Sequence, residues 1–230
     1  QELGHDDPDK RSKAAQALGE MEDRKARSGL EAAADDTDAA VREQVILSLG
    51  SLGDRRSLKT VTTALDDSNP KVRVAAAVAL RRLQQPSALA DLIKTLRRTS
   101  PSEADKTAYN SAIRELAGQK HTSELVELCK EGLIDRDTLL QVVDGSAVPE
   151  IAKWVVQGTV SQRAEACRLL VDAGDGRAAE ALLSSLENNT TDEFKSACAE
   201  ALGRIAAPEH VTTLVRELGR APRALIWEPL

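Results

Sequence analysis

Seven cations recur at one register along the 230-residue chain: Arg11, Arg42, Arg73, Lys106, Arg136, Arg163 and Lys195. Each stands seven residues before an aliphatic residue, in order Leu18, Leu49, Leu80, Ile113, Val143, Leu170 and Leu202. Two kinds of chemistry suit such a stripe. Guanidinium and ammonium groups can neutralise carboxylates within a scaffold, or they can receive an anion or an acidic segment from outside. The acids for the first use are near in sequence: Asp7 and Asp9, Asp36 and Asp38, Asp66 and Asp67, Glu103 and Asp105, Asp135 and Asp137, Asp192 and Glu193. This reading has each cation neutralise its own turn, and exposed pairs of that kind are worth about 0 to 1 kcal/mol. Arg163 follows Gln157-Gly158-Thr159-Val160-Ser161-Gln162, which holds no acid, and is therefore the ladder cation expected to be free for a ligand.

Other reactive groups are sparse. Cys129, Cys167 and Cys198 form no CxxC, and His5, His121 and His210 have no second His, Cys or carboxylate at metal-site spacing. GxSxG, P-loop and HExxH patterns are absent from the sequence. The expectation is a protein that is not an enzyme, with no cofactor and no metal. A formal charge of −6 and only 2% aromatic residues argue against nucleic acid, since phosphate neutralisation and base stacking both lack their groups. No run of about 18 apolar residues marks a membrane span, and the opening QELGHDDPDK lacks the apolar core of a signal peptide. With three unpatterned cysteines, a reducing, cytoplasmic setting is expected. A start at Gln1 rather than Met reads as a fragment or a trimmed chain.

The elements that must carry the stripe repeat. PDKRSKAAQALGEMED from Pro8, AAVREQVILSLGSLGD from Ala39 and PKVRVAAAVALRRLQQ from Pro70 superimpose without gaps at a step of 31 residues. Val41, Val45, Leu49 and Leu52 fall on one face of a helix that ends at Gly53-Asp54, and Leu58, Val61 and Leu65 mark a second helix. Asp66-Asp67-Ser68-Asn69-Pro70 stops that helix and caps the next, with Pro70 in a first helical turn. Such a pair cannot bury its apolar faces alone and must stack on its neighbours. Small residues precede the aliphatic anchor: Ala14 and Ala15, Ala76 and Ala77, Ala166 and Cys167, Cys198 and Ala199. Cys167 and Cys198 therefore read as packing residues.

The segment ADDTDAAVREQVILSLGSLGDRRSLKTVTTALDDSNPKVRVAAAVALRRL resembles HEAT repeats of the short, phycobilisome-lyase type. That resemblance implies an all-α fold, an α-α superhelix of about seven helix pairs, with the Val-Arg helices on the concave face. One solenoid is expected over 1–220, regular over 6–96, degenerate over 97–160 and regular again over 161–220, followed by a tail or cap at 221–230. In the degenerate stretch RRTSPSEADK lengthens a turn, and Asp144-Gly145-Ser146 stands where Leu-Gly would continue a helix. Tyr109 and Asn110 replace the small pair there, and Tyr109 is expected to be an exposed aromatic anchor. Trp154 is expected in the core of an outer helix, and Leu225, Ile226 and Trp227 to fold back over the last repeat.

The function expected from all this is a non-catalytic protein-interaction scaffold. Its candidate concave-face residues are Arg42, Arg73, Lys106, Tyr109, Arg136, Arg163 and Lys195, and its partner is a protein with an acidic segment. Neither nucleic acid nor membrane is expected, and the chain is expected as a monomer or in a hetero-complex. The resemblance implies a second reading, a bilin-lyase-like subunit or chaperone handling a tetrapyrrole and its acceptor protein. HEAT-like DNA glycosylases form a third class, which the negative charge opposes.

Overall fold

A computed structural model of the chain describes residues 2–21, 23–99, 101–143, 147–173, 178–180, 182–183 and 192–205. The expected Asp144-Gly145-Ser146 break and the C-terminal cap lie outside them. The chain divides into two compact units, Gln1–Ala117 with Gly132–Thr138, and Gly118–Glu131 with Leu139–Leu230.

In the first unit long helices alternate with short ones. The long row is α1 (Pro8–Glu20), α3 (Ala39–Leu52), α5 (Pro70–Leu83) and α7 (Glu103–Leu116), and the short row is α2 (Arg27–Ala32), α4 (Leu58–Thr63) and α6 (Leu89–Thr99). Each short helix is entered through one 3-10 turn, at Arg24–Ala26, Arg55–Ser57 and Pro86–Ala88. Turn chemistry sets these boundaries. Asp7, Asp38, Asn69 and Ser102 accept backbone N–H groups at the starts of the long helices, and Pro8 and Pro70 sit where no N–H is needed. Gly53 ends α3 in the left-handed conformation, with φ 60°.

Long helices pack on one another in order, α1 on α3, α3 on α5 and α5 on α7, while α2 packs on α3, α4 on α5 and α6 on α7. A helix with neighbours on several sides must be apolar around much of its circumference. In α3, Val41, Val45, Ile46, Leu49 and Leu52 are all buried, and in α5, Val72, Ala75, Ala76, Ala77, Ala79, Leu80 and Leu83. By contrast α6 has a single stripe, Leu89, Leu92, Ile93 and Leu96, with Asp91, Lys94 and Arg97 off it.

The second unit holds α8 (Thr122–Lys130), α10 (Val148–Gln157), α11 (Val160–Ala173) and α12 (Asp192–Ile205); α9 (Arg136–Val142) begins in the returning segment of the first unit. Here α10 packs on α8 and α11, and α11 on α12. Trp154 is buried in α10, as expected. Among the described residues no helix is long and apolar enough to cross a membrane.

Repeat stacking is tightest at two glycines. A Cβ at Gly19 would lie 2.7 Å from Ser48 Cβ and 2.9 Å from its Cα, and a Cβ at Gly50 would lie 2.7 Å from Ala79 Cα. Backbone stands on the far side in both places, so no side chain can swing away. The third copy carries Arg81, which is exposed. Gly50→Ala gains about 1 kcal/mol of helix propensity, yet forces α3 and α5 apart, an overpacking cost of about 1–3 kcal/mol. We expect the net effect to be destabilising, read as a lower urea midpoint; a rise would show that the helices do not meet as described.

Candidate functional site

The first three ladder arginines form one continuous network. Arg11 Nη1 donates to His5 O at 2.7 Å and Asp6 O at 2.9 Å, Arg42 Nη1 to Asp36 O at 2.7 Å and Thr37 O at 3.2 Å, and Arg73 Nη1 to Asp67 O at 2.8 Å and Ser68 O at 3.1 Å. Each guanidinium therefore clasps the carbonyls of the turn that precedes its own helix. The carboxylate it binds belongs to the next turn. Arg11 Nε and Nη2 donate to Asp36 at 2.7 and 2.9 Å, and Arg42 Nε and Nη2 donate to Asp67 at 2.8 and 3.0 Å. Asp36 and Asp67 also accept the backbone N–H of Asp38 and Asn69, both at 2.8 Å, which fixes the turn that caps the following helix.

Each aspartate thus joins two rungs: its side chain takes one arginine and its carbonyl takes the next. This corrects the expectation that every cation neutralises its own turn. Asp7, Asp9 and Asp38 are not the carboxylates bound; Asp7 and Asp38 serve as helix caps. The missed signal is an Asp two residues before the N-cap, in Asp36-Thr37-Asp38 and Asp67-Ser68-Asn69. Before α7 the same register reads Ser100-Pro101-Ser102.

Further along, the pattern loosens. Lys106 Nζ reaches Gly132 O at 2.8 Å as well as Glu103 at 2.6 Å, so it still bridges to the next turn, but through a carbonyl. Beside it, buried Asn110 donates to Asp135, whose other oxygen accepts the Thr138 N–H at the start of α9. Arg136 is half-buried and engaged. Arg163, expected to be free, is engaged too: its Nε donates to Gly158 O at 2.6 Å, clasping its own turn. A turn without an acid still offers carbonyls, and the guanidinium takes them. Lys195 is half-buried, while the side chains of its expected acids, Asp192 and Glu193, lie outside the described residues.

Tyr109 is a second correction. It is not an exposed anchor but 1% exposed in α7, because the slot it fills faces the neighbouring repeat. Burial pushes its phenol up, against the pull of Arg73, which meets the hydroxyl, and of Arg98. Arg98 itself donates to Asp66 at 2.7 Å and to Leu65 O at 3.2 Å.

A separate ion cluster supports the short row. Asp54 caps the 3-10 turn before α4 and takes Arg56 through Nε and Nη2, with Arg27 Nε 3.5 Å away. In the second unit the Cys167 and Cys198 sulfurs, both buried, lie 3.4 Å apart between α11 and α12. The adjoining thiol and burial together push the Cys198 thiol far above its ordinary value. Both residues pack as the sequence suggests. Among the described residues no group of three His, Cys, Asp or Glu side chains could hold a metal.

Two measurements check this geometry. Arg11 and Arg42 hold the Asp36 and Asp67 carboxyls below the usual range, and Arg56 holds Asp54 down to about 2. Because these native values lie below the unfolded value of about 3.9, their stabilisation is complete above that pH and is lost as pH falls through the native values. Stability should therefore fall between about pH 4 and 2. Asp67→Asn should cost about 1–3 kcal/mol at neutral pH and flatten that fall; a variant with the parent's stability and acid slope would contradict the rung. A thiol reagent should leave Cys167 and Cys198 unmodified in the folded protein and label them on unfolding. Rapid labelling of either one when folded would contradict their burial.

A repeat model and one solved structure, the phycocyanin lyase complex, agree with this architecture. The family model for HEAT repeats matches residues 1–67 and 35–112. Among solved structures, the complex of CpcE and CpcF of phycocyanin lyase from Nostoc sp. PCC7120 is similar over 95% of this chain and 91% of that chain, with 20% identity and a TM-score of 0.53. The archaeal HEAT-like repeats protein from Thermococcus onnurineus NA1 aligns over 88% of this chain and 93% of that one, with 15% identity and a TM-score of 0.48. No curated protein sequence matches the chain. With helix pairs at a 31-residue step, turns tied arginine to aspartate and a match to the repeat itself, residues 1–112 are HEAT repeats and the chain has an all-α, α-α solenoid fold.

Proposed function

We propose that the chain is a non-catalytic scaffold that presents the row of long helices to a partner protein. One observation carries this reading: in the first unit the same positions recur from helix to helix on a rigidly tied frame. Leu47 of α3 and Val78 of α5 occupy equivalent positions, and both are half-buried, as is Val74. Apolar groups left partly open on neighbouring helices, beside cations held in fixed orientations, suit a protein surface with acidic groups. A frame whose charges are mostly spent within its own turns supports selective docking rather than general attraction to anions.

The fold likeness to phycocyanin lyase subunits favours a second reading, a bilin-lyase-like subunit that works with another chain. Burial of Tyr109 and Trp154 takes two of the four aromatic side chains away from a tetrapyrrole. Absorbance changes on mixing the chain with a bilin would favour this reading.

The scaffold reading is tested by affinity capture with the full chain as bait beside Val74→Asp and Val78→Asp, each first shown to keep the parent's unfolding midpoint. Enrichment of one protein that both variants lose is the expected result. Capture that neither substitution alters would contradict docking on this row.

A further inference from the structure

The ladder runs Arg11, Asp36, Arg42, Asp67, Arg73, and it ends on an arginine. Arg73 is oriented as its two predecessors are, with Nη1 on the carbonyls six and five residues earlier. In those predecessors the other edge of the guanidinium, Nε with Nη2, holds a carboxylate in a two-bond fork. Among the described residues no carboxylate occupies that edge of Arg73, and the sequence register that supplied Asp36 and Asp67 supplies Ser100. Tyr109 brings a hydroxyl to Arg73 instead, and a phenol kept protonated by burial cannot cancel the charge.

The neighbouring acids bind other groups. Arg98 adds a second cation and is already matched by Asp66. Asp105, the acid that also acts on the phenol, is held by the Ser102 hydroxyl at 2.8 Å. Two rungs closed by a bidentate carboxylate are thus followed by one whose fork holds none among the described residues. Arg73 is half-buried.

We infer that the Nε and Nη2 edge of Arg73 receives the carboxylate of an aspartate or glutamate side chain from the partner protein, completing the third rung in trans. The inference rests on the scaffold reading and names the partner's chemistry. Its occupant is displayed twice within the chain itself, as Asp36 on Arg11 and Asp67 on Arg42. A pre-oriented guanidinium loses little freedom on binding, and its planar fork selects a carboxylate over a single-point anion.

The test uses the full 230-residue chain labelled with 15N, and as probe an acetylated, amidated pentapeptide, Asp-Asp-Ser-Asn-Pro, which copies the turn at 66–70. A control peptide has asparagine in place of both aspartates. Side-chain Nε–H signals of Arg11, Arg42 and Arg73 are followed during titration. Among these three the expected result is a saturable shift at Arg73 alone, absent with the control peptide; binding read from the backbone amides around Arg73 is expected to weaken about tenfold or more in Arg73→Gln, given the strength of hydrogen bonds between charged groups. An unmoved Arg73 signal, an equal shift with the control peptide, or unchanged affinity in Arg73→Gln would each overturn the assignment. Because the titration needs no partner, its failure is distinct from that of the scaffold reading. A chain that captures a partner through Val74 and Val78 while Arg73 stays silent loses this site and keeps that function.

Discussion

An arginine on one helix, reaching a carboxylate one turn further along the stack, is the interaction on which the regular part of this molecule depends. Apolar burial can hold helices together without fixing their register. The bidentate contact of Arg42 with Asp67 does fix it, because four groups must align at once: two carbonyls of the preceding turn and two oxygens of the following one. With the Arg42 and Asp67 side chains only 15% and 12% exposed, the pair is shielded from much of the solvent screening that makes surface ion pairs weak. The aspartate completes the device by holding the backbone that caps the next helix, so one side chain sets both the repeat step and a helix start.

Close helix approach follows from this register. Gly19 and Gly50 recur beside Leu18 and Leu49, and each lies against the backbone of the following long helix. A slip of one residue would put a side chain where only hydrogen fits. Where the ladder loses its acid, the small residues go too: Arg81 replaces the glycine, and Tyr109 and Asn110 replace the alanines. Spacing and charge change together, which marks the junction after α5 as the place where the repeat departs from its own rule. It is also where an arginine is left without the bidentate carboxylate its two predecessors hold.

Much of this is legible in the residues. The 31-residue step, the helix pairs, the capping turns, the burial of Trp154 and the packing role of Cys167 and Cys198 all follow from periodicity, side-chain size and turn chemistry. The site is less so. Sequence proximity points each cation at the acids of its own turn, whereas a long guanidinium arm on a helix reaches carbonyls behind it and a carboxylate 25 residues ahead. Nearness in sequence does not measure distance across a stack. The same blindness makes Arg163 look unengaged, since backbone carbonyls are invisible in composition. Tyr109 misleads for a different reason: an oversized residue in a small-residue slot can open outward or fill the gap that wider spacing leaves, and here it fills the gap.

The central claim is that the arginine–aspartate rung couples neighbouring repeats rather than decorating their surface. A double-mutant cycle measures this directly, with Arg42→Gln, Asp67→Asn and the pair compared by urea unfolding of the full chain. The account predicts a coupling energy of about 1.5–3 kcal/mol, as expected for hydrogen bonds between charged groups. A coupling near zero, with the two single effects simply adding, would contradict it and would leave the stacking to apolar contacts alone.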